Sequence, residues 1–218
     1  MSKYNLLEAM KAQAKPALKL TDKKQKIMET AVALFAEKGY SNTPTSEIAK
    51  AAGVAEGTIF RHFGTKDNLL VAVIVPFLKA SIPSMAEELF TELMSHDVFF
   101  FEDFLRELVR DRLNFVKENK EIFQIVVKEF LYNEEIRNEL LPYFVENIGG
   151  RLIQVIRVFQ ERGELVSRPA EDIAKLVVTC IAGLFVSKFV LMLNGTADEE
   201  AEIETIVRFV MDGVRKRE

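Results

Sequence analysis

The sequence is poor in the residues on which metal sites, disulfides and most nucleophilic catalysis depend. Its 218 residues include one cysteine, two histidines and no tryptophan. The single cysteine, Cys180, excludes an intramolecular disulfide and gives no sign of an oxidising compartment, so we expect a cytoplasmic protein. His62 and His96 are far apart, and neither has a cysteine or carboxylate at a spacing that suits a metal. No metal site is therefore predicted.

Catalytic motifs are missing as well. The sequence contains no glycine-rich phosphate loop, no nucleophile elbow, and no serine or cysteine with an obvious base partner. Carboxylate pairs such as Glu87 and Glu88 are common, but on helices such runs usually form a solvated face. We therefore expect neither an enzyme nor a bound cofactor.

Long apolar segments are also scarce. Charged residues interrupt every apolar stretch before residue 16, so no signal peptide is expected. Residues 173–193 could span a membrane by length, but Lys175 and Lys188 lie within them, and small residues there suit close packing between helices. We predict a buried helix of a soluble protein there, and no membrane partner.

Charge is distributed unevenly along the chain. Residues 1–70 contain 11 Lys and Arg against 7 Asp and Glu, whereas residues 71–218 contain 18 against 26. An acidic body would repel DNA and leave the N-terminal part as the only surface with a favourable field. If DNA is a partner, we expect the N-terminal part to bind it.

Residues 1–20 are basic and are interrupted by a proline. Four lysines stand against Glu8 alone, and Pro16 would break any helix formed by residues 6–14. We predict a flexible basic arm, which could either lie along DNA or be a frayed terminus.

The next segment has the pattern of an amphipathic helix. Asp22 can cap a helix from Lys23 to Lys38, and Gly39 can end it. The apolar stripe of this helix consists of Ile27, Ala31, Leu34 and Phe35. We expect it to support two short helices that follow, in a small core to which Phe60 could add.

The first of these short helices is predicted over residues 46–52. Thr45 is a good N-cap, and the apolar residues behind it recur at helical spacing. Gly53 can adopt the left-handed conformation that ends the helix without a Cβ clash, and Val54 can pack under the turn.

The second short helix is predicted over residues 56–63, with Ile59 and Phe63 facing inward. Its outer face is formed by Gly57, Thr58, Arg61 and His62. In a helix-turn-helix arrangement of this kind, the second helix enters the major groove of DNA. Thr65 can cap a third helix that opens at Lys66, where the lysine and the free backbone amides suit a phosphate.

The runs IAKAAGV, GTIFRHF and KDNLL resemble the N-terminal domain of TetR-type transcriptional regulators over about residues 24–70. The resemblance implies an all-helical homodimer with a three-helix DNA-binding head and a divergent helical body that binds a small inducer. It implies that Thr45, Thr58 and Lys66 touch phosphates of a double-stranded DNA operator. It also implies that Gly57, Arg61 and His62 lie at or near the bases. Phe60 departs from the tyrosine of many members and cannot donate a hydroxyl hydrogen bond to a phosphate. The predicted DNA-binding residues are Thr45, Glu56, Gly57, Thr58, Phe60, Arg61, His62 and Lys66.

We predict an all-α fold with three parts. A flexible basic arm covers residues 1–20, a helix-turn-helix DNA-binding domain covers residues 21–66, and a larger helical ligand-binding and dimerisation domain covers residues 67–218.

Prolines and a glycine pair divide the predicted helices of the larger domain. Pro76 and Pro83 should interrupt the helix that leaves the head, and we predict a hinge there. Pro142 should begin a helix that continues through Gly149 and Gly150. A double glycine inside a helix implies either a bend or a close approach of backbone or ligand.

Phenylalanine is abundant, with 17 residues, and many lie in the helices of the larger domain. Most of them must form a core. The family resemblance implies a pocket among these helices, and an aromatic and aliphatic lining would suit a largely apolar small molecule. The candidate pocket residues are Phe104, Leu108, Phe115, Phe123, Val127, Phe130, Phe144, Phe159 and Cys180.

The last two predicted helices begin near Pro169 and Asp198 and resemble the dimerisation pair of the family. Two such helices from each protomer would form a four-helix bundle that covers apolar faces too large for a monomer to expose. The candidate interface residues are Leu176, Ala182, Gly183, Val186, Val207, Val210 and Val214.

We therefore interpret the sequence as a ligand-responsive DNA-binding transcriptional regulator, a repressor that a largely apolar small molecule releases from a palindromic operator. The alternative is a helical ligand-binding or scaffold protein whose helix-turn-helix head no longer binds DNA. The exposed polar residues between Thr45 and Lys66 favour the regulator, because a disused head has no physical need to keep them together.

Overall fold

The computed structural model describes residues 5–13, 23–95, 100–193 and 198–216, and over these ranges it confirms the predicted all-α class. The α-helices of these ranges are α1 (Leu6–Gln13), α2 (Lys23–Lys38), α3 (Thr45–Ala52), α4 (Glu56–Phe63), α5 (Lys66–Ser95), α6 (Phe101–Glu118), α7 (Lys120–Tyr132), α8 (Glu134–Phe144), α9 (Gly150–Glu161), α10 (Ala170–Phe185) and α11 (Glu199–Val214). Two π-helical turns, Val145–Gly149 and Val186–Val190, follow α8 and α10. One isolated antiparallel bridge joins Leu165 to Arg215.

The chain divides into two compact units. The first comprises residues 1–80 and 118–138, and the second comprises residues 81–117 and 139–218. The first unit therefore contains α7 in addition to the helices around the helix-turn-helix motif. The predicted domain boundary between residues 66 and 67 remains a prediction.

Helices α2, α3 and α4 form a small core in the first unit. Ile27 and Phe35 of α2 are completely buried, as are Ile48 of α3 and Ile59 of α4. This confirms the apolar stripe predicted for α2. Phe60 does not join the core as expected, because its side chain is 48% exposed. One residue is about 100° of helical rotation, so burial of Ile59 turns Phe60 away from α2.

The N-terminal segment differs from the predicted flexible arm where the structure describes it. Residues 6–13 form α1, which packs against α2 and buries Leu6, Leu7 and Met10. The Leu6 amide also donates a hydrogen bond of 2.9 Å to Oδ1 of Asn119, between α6 and α7. The prediction rested on the charge of the lysines, but burial of the apolar residues between them holds this segment against α2.

Helix α5 runs without interruption from Lys66 to Ser95, so the breaks predicted at Pro76 and Pro83 are wrong. Each proline removes a backbone hydrogen bond and costs a helix interior about 3 kcal/mol. The helix persists because apolar side chains along it are buried, and that burial offsets the cost. The buried residues include Leu69, Leu70, Val73, Ile74, Ile82, Ala86 and Phe90.

Pro142 likewise lies inside α8 and does not begin a helix as predicted. Gly149 and Gly150 have right-handed helical φ angles of −60° and −59°. Gly149 ends the π-helical turn that leads into α9, and a Cβ built on Gly150 would meet no atom within 4 Å. The glycine pair therefore accompanies a widened helical turn. No neighbouring atom comes close enough to position 150 to require a glycine there.

The second unit has a phenylalanine core. Phe101 stacks on Phe104 with ring centroids 5.8 Å apart and meets Phe159 at 5.4 Å, and all three side chains are fully buried. The Arg106 guanidinium of α6 donates to Glu204 of α11, and this hydrogen bond raises the pKa of Arg106. Aromatic packing and this ion pair together hold α6 in the unit.

Several predicted features lie outside the described residues. They are Pro16, the capping residue Asp22, and His96. Asp198 does precede α11 as predicted, although its side chain makes no capping hydrogen bond there.

Candidate nucleic-acid interface

The turn between α3 and α4 has the geometry that the sequence predicts. Gly53 is in the left-handed conformation, with φ of 68° and ψ of 37°. Its amide bonds to the Lys50 carbonyl at 3.2 Å, and the Val54 amide bonds to the Ala49 carbonyl at 3.0 Å. These bonds satisfy carbonyls at the end of α3, and the φ angle explains why glycine is needed at this position.

Helix α4 has one buried side and one exposed side. Ile59 and Phe63 are buried, whereas Gly57, Arg61 and His62 are exposed. A Cβ on Gly57 would meet no atom within 4 Å, so the space outside the first turn of α4 is open. The exposed face of α4 begins with Glu56 and the small Gly57 and continues with Arg61 and His62.

Thr45 does not cap α3 as predicted. Pro44 occupies the N-cap position without a side-chain hydrogen bond, and Thr45 is the first helical residue. The Thr45 hydroxyl instead donates a hydrogen bond of 2.6 Å to Oε1 of Glu56, the first residue of α4. The side chains that open the two helices of the motif are therefore bonded to each other, across a sequence separation of 11 residues.

The predicted cap at Thr65 is confirmed, since its hydroxyl oxygen accepts a hydrogen bond of 3.0 Å from the Asn68 amide. Lys66 is engaged within the protein. Its Nζ donates to the Tyr40 carbonyl oxygen at 2.6 Å and lies 4.1 Å from the centroid of the Tyr40 ring. Burial lowers the pKa of the Lys66 ammonium. A phosphate contact by Lys66 would have to replace these interactions.

A polar chain that the sequence did not reveal connects α7 to the head. The Tyr40 hydroxyl donates to the Asp67 carboxylate, and this bond lowers the pKa of Asp67. Burial raises the pKa of Tyr40 above its usual range. Lys128 Nζ lies 3.0 Å from Oδ2 of Asp67, and Glu121 Oε1 accepts a hydrogen bond of 2.7 Å from the Ser41 hydroxyl. Sequence separations of 61 and 80 residues leave no local signal for these pairs.

The predicted pocket residues do not fall in one compact unit. Phe123, Val127 and Phe130 belong to the first unit, and the other six belong to the second. Phe104 and Phe159 are completely buried in the phenylalanine core. The lining role of the nine residues remains a prediction.

The predicted interface residues fall into two groups. On α10, Leu176, Ala182 and Gly183 are exposed, and Val186, in the π-helical turn, is half-buried. The α11 residues Val207, Val210 and Val214 are buried within the protomer, because their stripe packs inward. They cannot also present a surface to a second protomer. Phe209, which the sequence reasoning missed, is 70% exposed and is the large apolar side chain on the outer side of α11.

Two short helices, a left-handed glycine turn and an exposed polar face on the second helix define a helix-turn-helix protein of the DNA-binding class. Residues 27–73 match the family described as bacterial regulatory proteins, tetR family. The N-terminal part of the chain is therefore similar to this family of transcriptional regulators.

Two relatives illustrate the extent of the similarity. The probable acrEF/envCD operon repressor of Escherichia coli (strain K12) is 28% identical over 161 residues, which cover 71% of this chain and 70% of the relative. The uncharacterized HTH-type transcriptional regulator YerO of Bacillus subtilis (strain 168) is 28% identical over 149 residues, 59% of this chain. The match spans about half of YerO, 49% of its length.

Two solved structures share the fold at low sequence identity. A transcriptional regulator from Saccharomonospora viridis in complex with choline is 22% identical, with a TM-score of 0.60, and covers 89% of this chain and 98% of its own. FadR from Bacillus subtilis in complex with stearoyl-CoA is 18% identical, with a TM-score of 0.56, and covers 87% of this chain and 98% of its own. Similarity at this level establishes the shared architecture.

Proposed function

We propose that this chain is a cytoplasmic, homodimeric repressor that binds a palindromic operator through α4 and is released by a largely apolar small molecule. The observation that carries the proposal is the exposed face of α4, formed by Gly57, Arg61 and His62 opposite a buried side. The proposal includes no catalytic activity, no cofactor and no membrane partner.

The geometry of α4 supports readout of the major groove. Eight residues give a helix about 12 Å long, which can present its side chains to base edges without spanning the groove. Arg61 is suited to a guanine, whose O6 and N7 accept two hydrogen bonds from one guanidinium. Phosphate contacts by Thr58 and Lys66 would fix the register of the helix on the duplex.

A mobility-shift assay with the DNA that flanks the gene of this protein tests the proposal. We expect a discrete complex with that DNA and none, at the same protein concentration, with a duplex of equal length and scrambled sequence. Ligand binding by a protein that retards neither duplex would favour the alternative, a helical ligand-binding protein whose head no longer binds DNA.

The exposed apolar face of α10 supports the homodimer. Residues 66–92 and 170–190 form helices long and apolar enough to cross a membrane by length and composition alone. Only 28% of an apolar stretch of 18 residues in residues 170–190 is buried within the protomer. Leu176 and Phe209 are 56% and 70% exposed. A second copy that packs α10 and α11 against their equivalents would cover this surface.

The composition of the helical body supports an apolar ligand. Many phenylalanines lie in its helices, and a pocket among them would favour aromatic and aliphatic groups. The structure of FadR holds stearoyl-CoA, whose acyl chain is apolar, whereas the Saccharomonospora viridis regulator holds choline. Stearoyl-CoA is accordingly the first probe to test.

Lys66→Ala should weaken binding to the operator and to unrelated DNA alike, because a phosphate contact carries no sequence information. Loss of one such contact should reduce the slope of log affinity against log salt by about 0.9. Fluorescence anisotropy at several salt concentrations measures the slope. Lys216→Ala, which removes the same charge from an exposed site after α11, outside the head and off α10, is the matched control and should leave the slope unchanged. An unchanged slope in Lys66→Ala would show that Lys66 contacts no phosphate and only stabilises the head through Tyr40.

Ligand and operator should each weaken the binding of the other by the same factor, since linkage is reciprocal. The bonds from α7 to Ser41 and Asp67 connect a helix outside the helix-turn-helix motif, in the same compact unit, to both ends of that motif. A useful switch needs a coupling free energy of about 1–3 kcal/mol, or about 5- to 150-fold. Calorimetric titration of stearoyl-CoA with and without saturating operator measures the coupling. Binding of equal affinity in the two titrations would show that this ligand does not control the head.

A further inference from the structure

The hydrogen bond between Thr45 and Glu56 places a carboxylate at the start of the recognition helix. Glu56 is exposed and is the first residue of α4, and its Oε1 accepts from the Thr45 hydroxyl at 2.6 Å. In helix-turn-helix proteins, the N-terminal residues of the second helix are those that contact base edges. A carboxylate there is unusual on electrostatic grounds, because DNA phosphates repel it.

The chemistry of a carboxylate limits what it can read. An ionised carboxylate only accepts hydrogen bonds, and the bond from Thr45 leaves it further lone pairs. In the major groove, guanine offers two acceptors and thymine offers an acceptor and a methyl group. Adenine offers an acceptor beside its amino group, whereas cytosine offers the N4 amino donor. Cytosine is therefore the base edge that Glu56 complements best.

We infer that Glu56 reads a cytosine in each half-site of the operator, and that Thr45 is a positioning residue that holds its carboxylate toward the groove. This inference rests on the proposed function and adds the identity of one base. It also assigns Thr45 a role different from the phosphate contact that the family resemblance implies. A threonine hydroxyl has one hydrogen, so while it donates to Glu56 it cannot also donate to a phosphate.

Substitutions of Glu56 make the inference testable in the full-length dimer. The preferred operator is first selected from random duplexes, and affinities are then measured for variants of each base pair in the half-site. Glu56→Ala should lose preference for one C·G pair per half-site, by about 5- to 150-fold. Glu56→Gln should change the preference at that same pair to adenine, because an amide pairs with adenine N6 and N7.

Substitutions of Thr45 separate positioning from phosphate binding. Thr45→Val should relax preference at the same C·G pair as Glu56→Ala, and the double variant should lose little more than either single variant. Thr45→Ser retains the hydroxyl and should restore the preference. Both residues are at least partly exposed, and thermal melts of the variants check that the head remains folded.

Three outcomes would contradict the inference in distinguishable ways. If the Glu56→Ala variant bound every sequence more tightly by the same factor, the carboxylate would only repel phosphates. If Thr45→Val weakened binding to all sequences equally and kept the cytosine preference, Thr45 would be a phosphate contact instead. Wild-type protein that selects no sequence at all would overturn the proposed function and this inference together.

Discussion

Gly183→Arg should give a folded monomer whose affinity for the operator is about 10²- to 10⁴-fold lower than that of the wild-type protein. Gly183 is exposed on α10, and a Cβ there would meet no atom of the protomer within 4 Å. Replacing a helical glycine also removes a cost of about 1 kcal/mol, so the protomer itself should not be destabilised. In a dimer, the arginine would place a charge in an apolar seam. Each half-site would then be bound singly, without the gain from linked binding.

Gly150→Arg is the matched control for this variant. Gly150 is also helical, also has open space around its missing Cβ, and lies on α9 rather than on α10. Sedimentation velocity should show a dimer for Gly150→Arg and a monomer for Gly183→Arg. A dimeric Gly183→Arg variant with normal operator affinity would remove α10 from the interface.

Arg61→Ala should weaken operator binding by about 1–3 kcal/mol and relax preference at one base pair per half-site. The residue is exposed on the same face of α4 as Gly57, and its loss leaves the buried side of the helix untouched. A guanidinium that donates two bonds to one guanine cannot be replaced by an ammonium, because lysine lacks the planar pair of donors.

Arg61→Lys is therefore the informative control. It keeps the charge and should restore non-specific affinity and the salt slope, but not the preference for the base pair. Affinities for a panel of operators with single base-pair changes give both quantities. If Arg61→Ala kept both the affinity and the preference of the wild type, the assigned reading face of α4 would be wrong.

Local signals in the sequence were enough to define the helix-turn-helix motif. The bounds of α4 match the prediction, and α3 begins one residue earlier than predicted, because a left-handed glycine and apolar residues four apart act within one or two helical turns. The cap at Thr65 was predicted for the same reason. The bond between Thr45 and Glu56 joins two different helices, so neither helix alone contains a sequence signal for it.

Features that depend on tertiary packing were predicted less well. The prolines of α5 signal a break locally, but burial along both sides of that helix overrides them. The valines of α11 form a stripe at helical spacing, which shows that one face is buried but not whether its own protomer or a partner buries it. Phe209 lies outside this stripe, so the periodicity did not indicate that it would be a large exposed apolar side chain.

The most direct test of the central claim is a quantitative titration of the full-length protein with its selected operator and with a scrambled duplex. Both titrations are made at physiological salt, because affinities for DNA depend steeply on salt concentration. The account predicts one dimer per operator and a preference over the scrambled duplex of at least about 10³-fold. Equal affinities for the two duplexes would contradict it, because a head without sequence preference cannot direct a regulator to an operator.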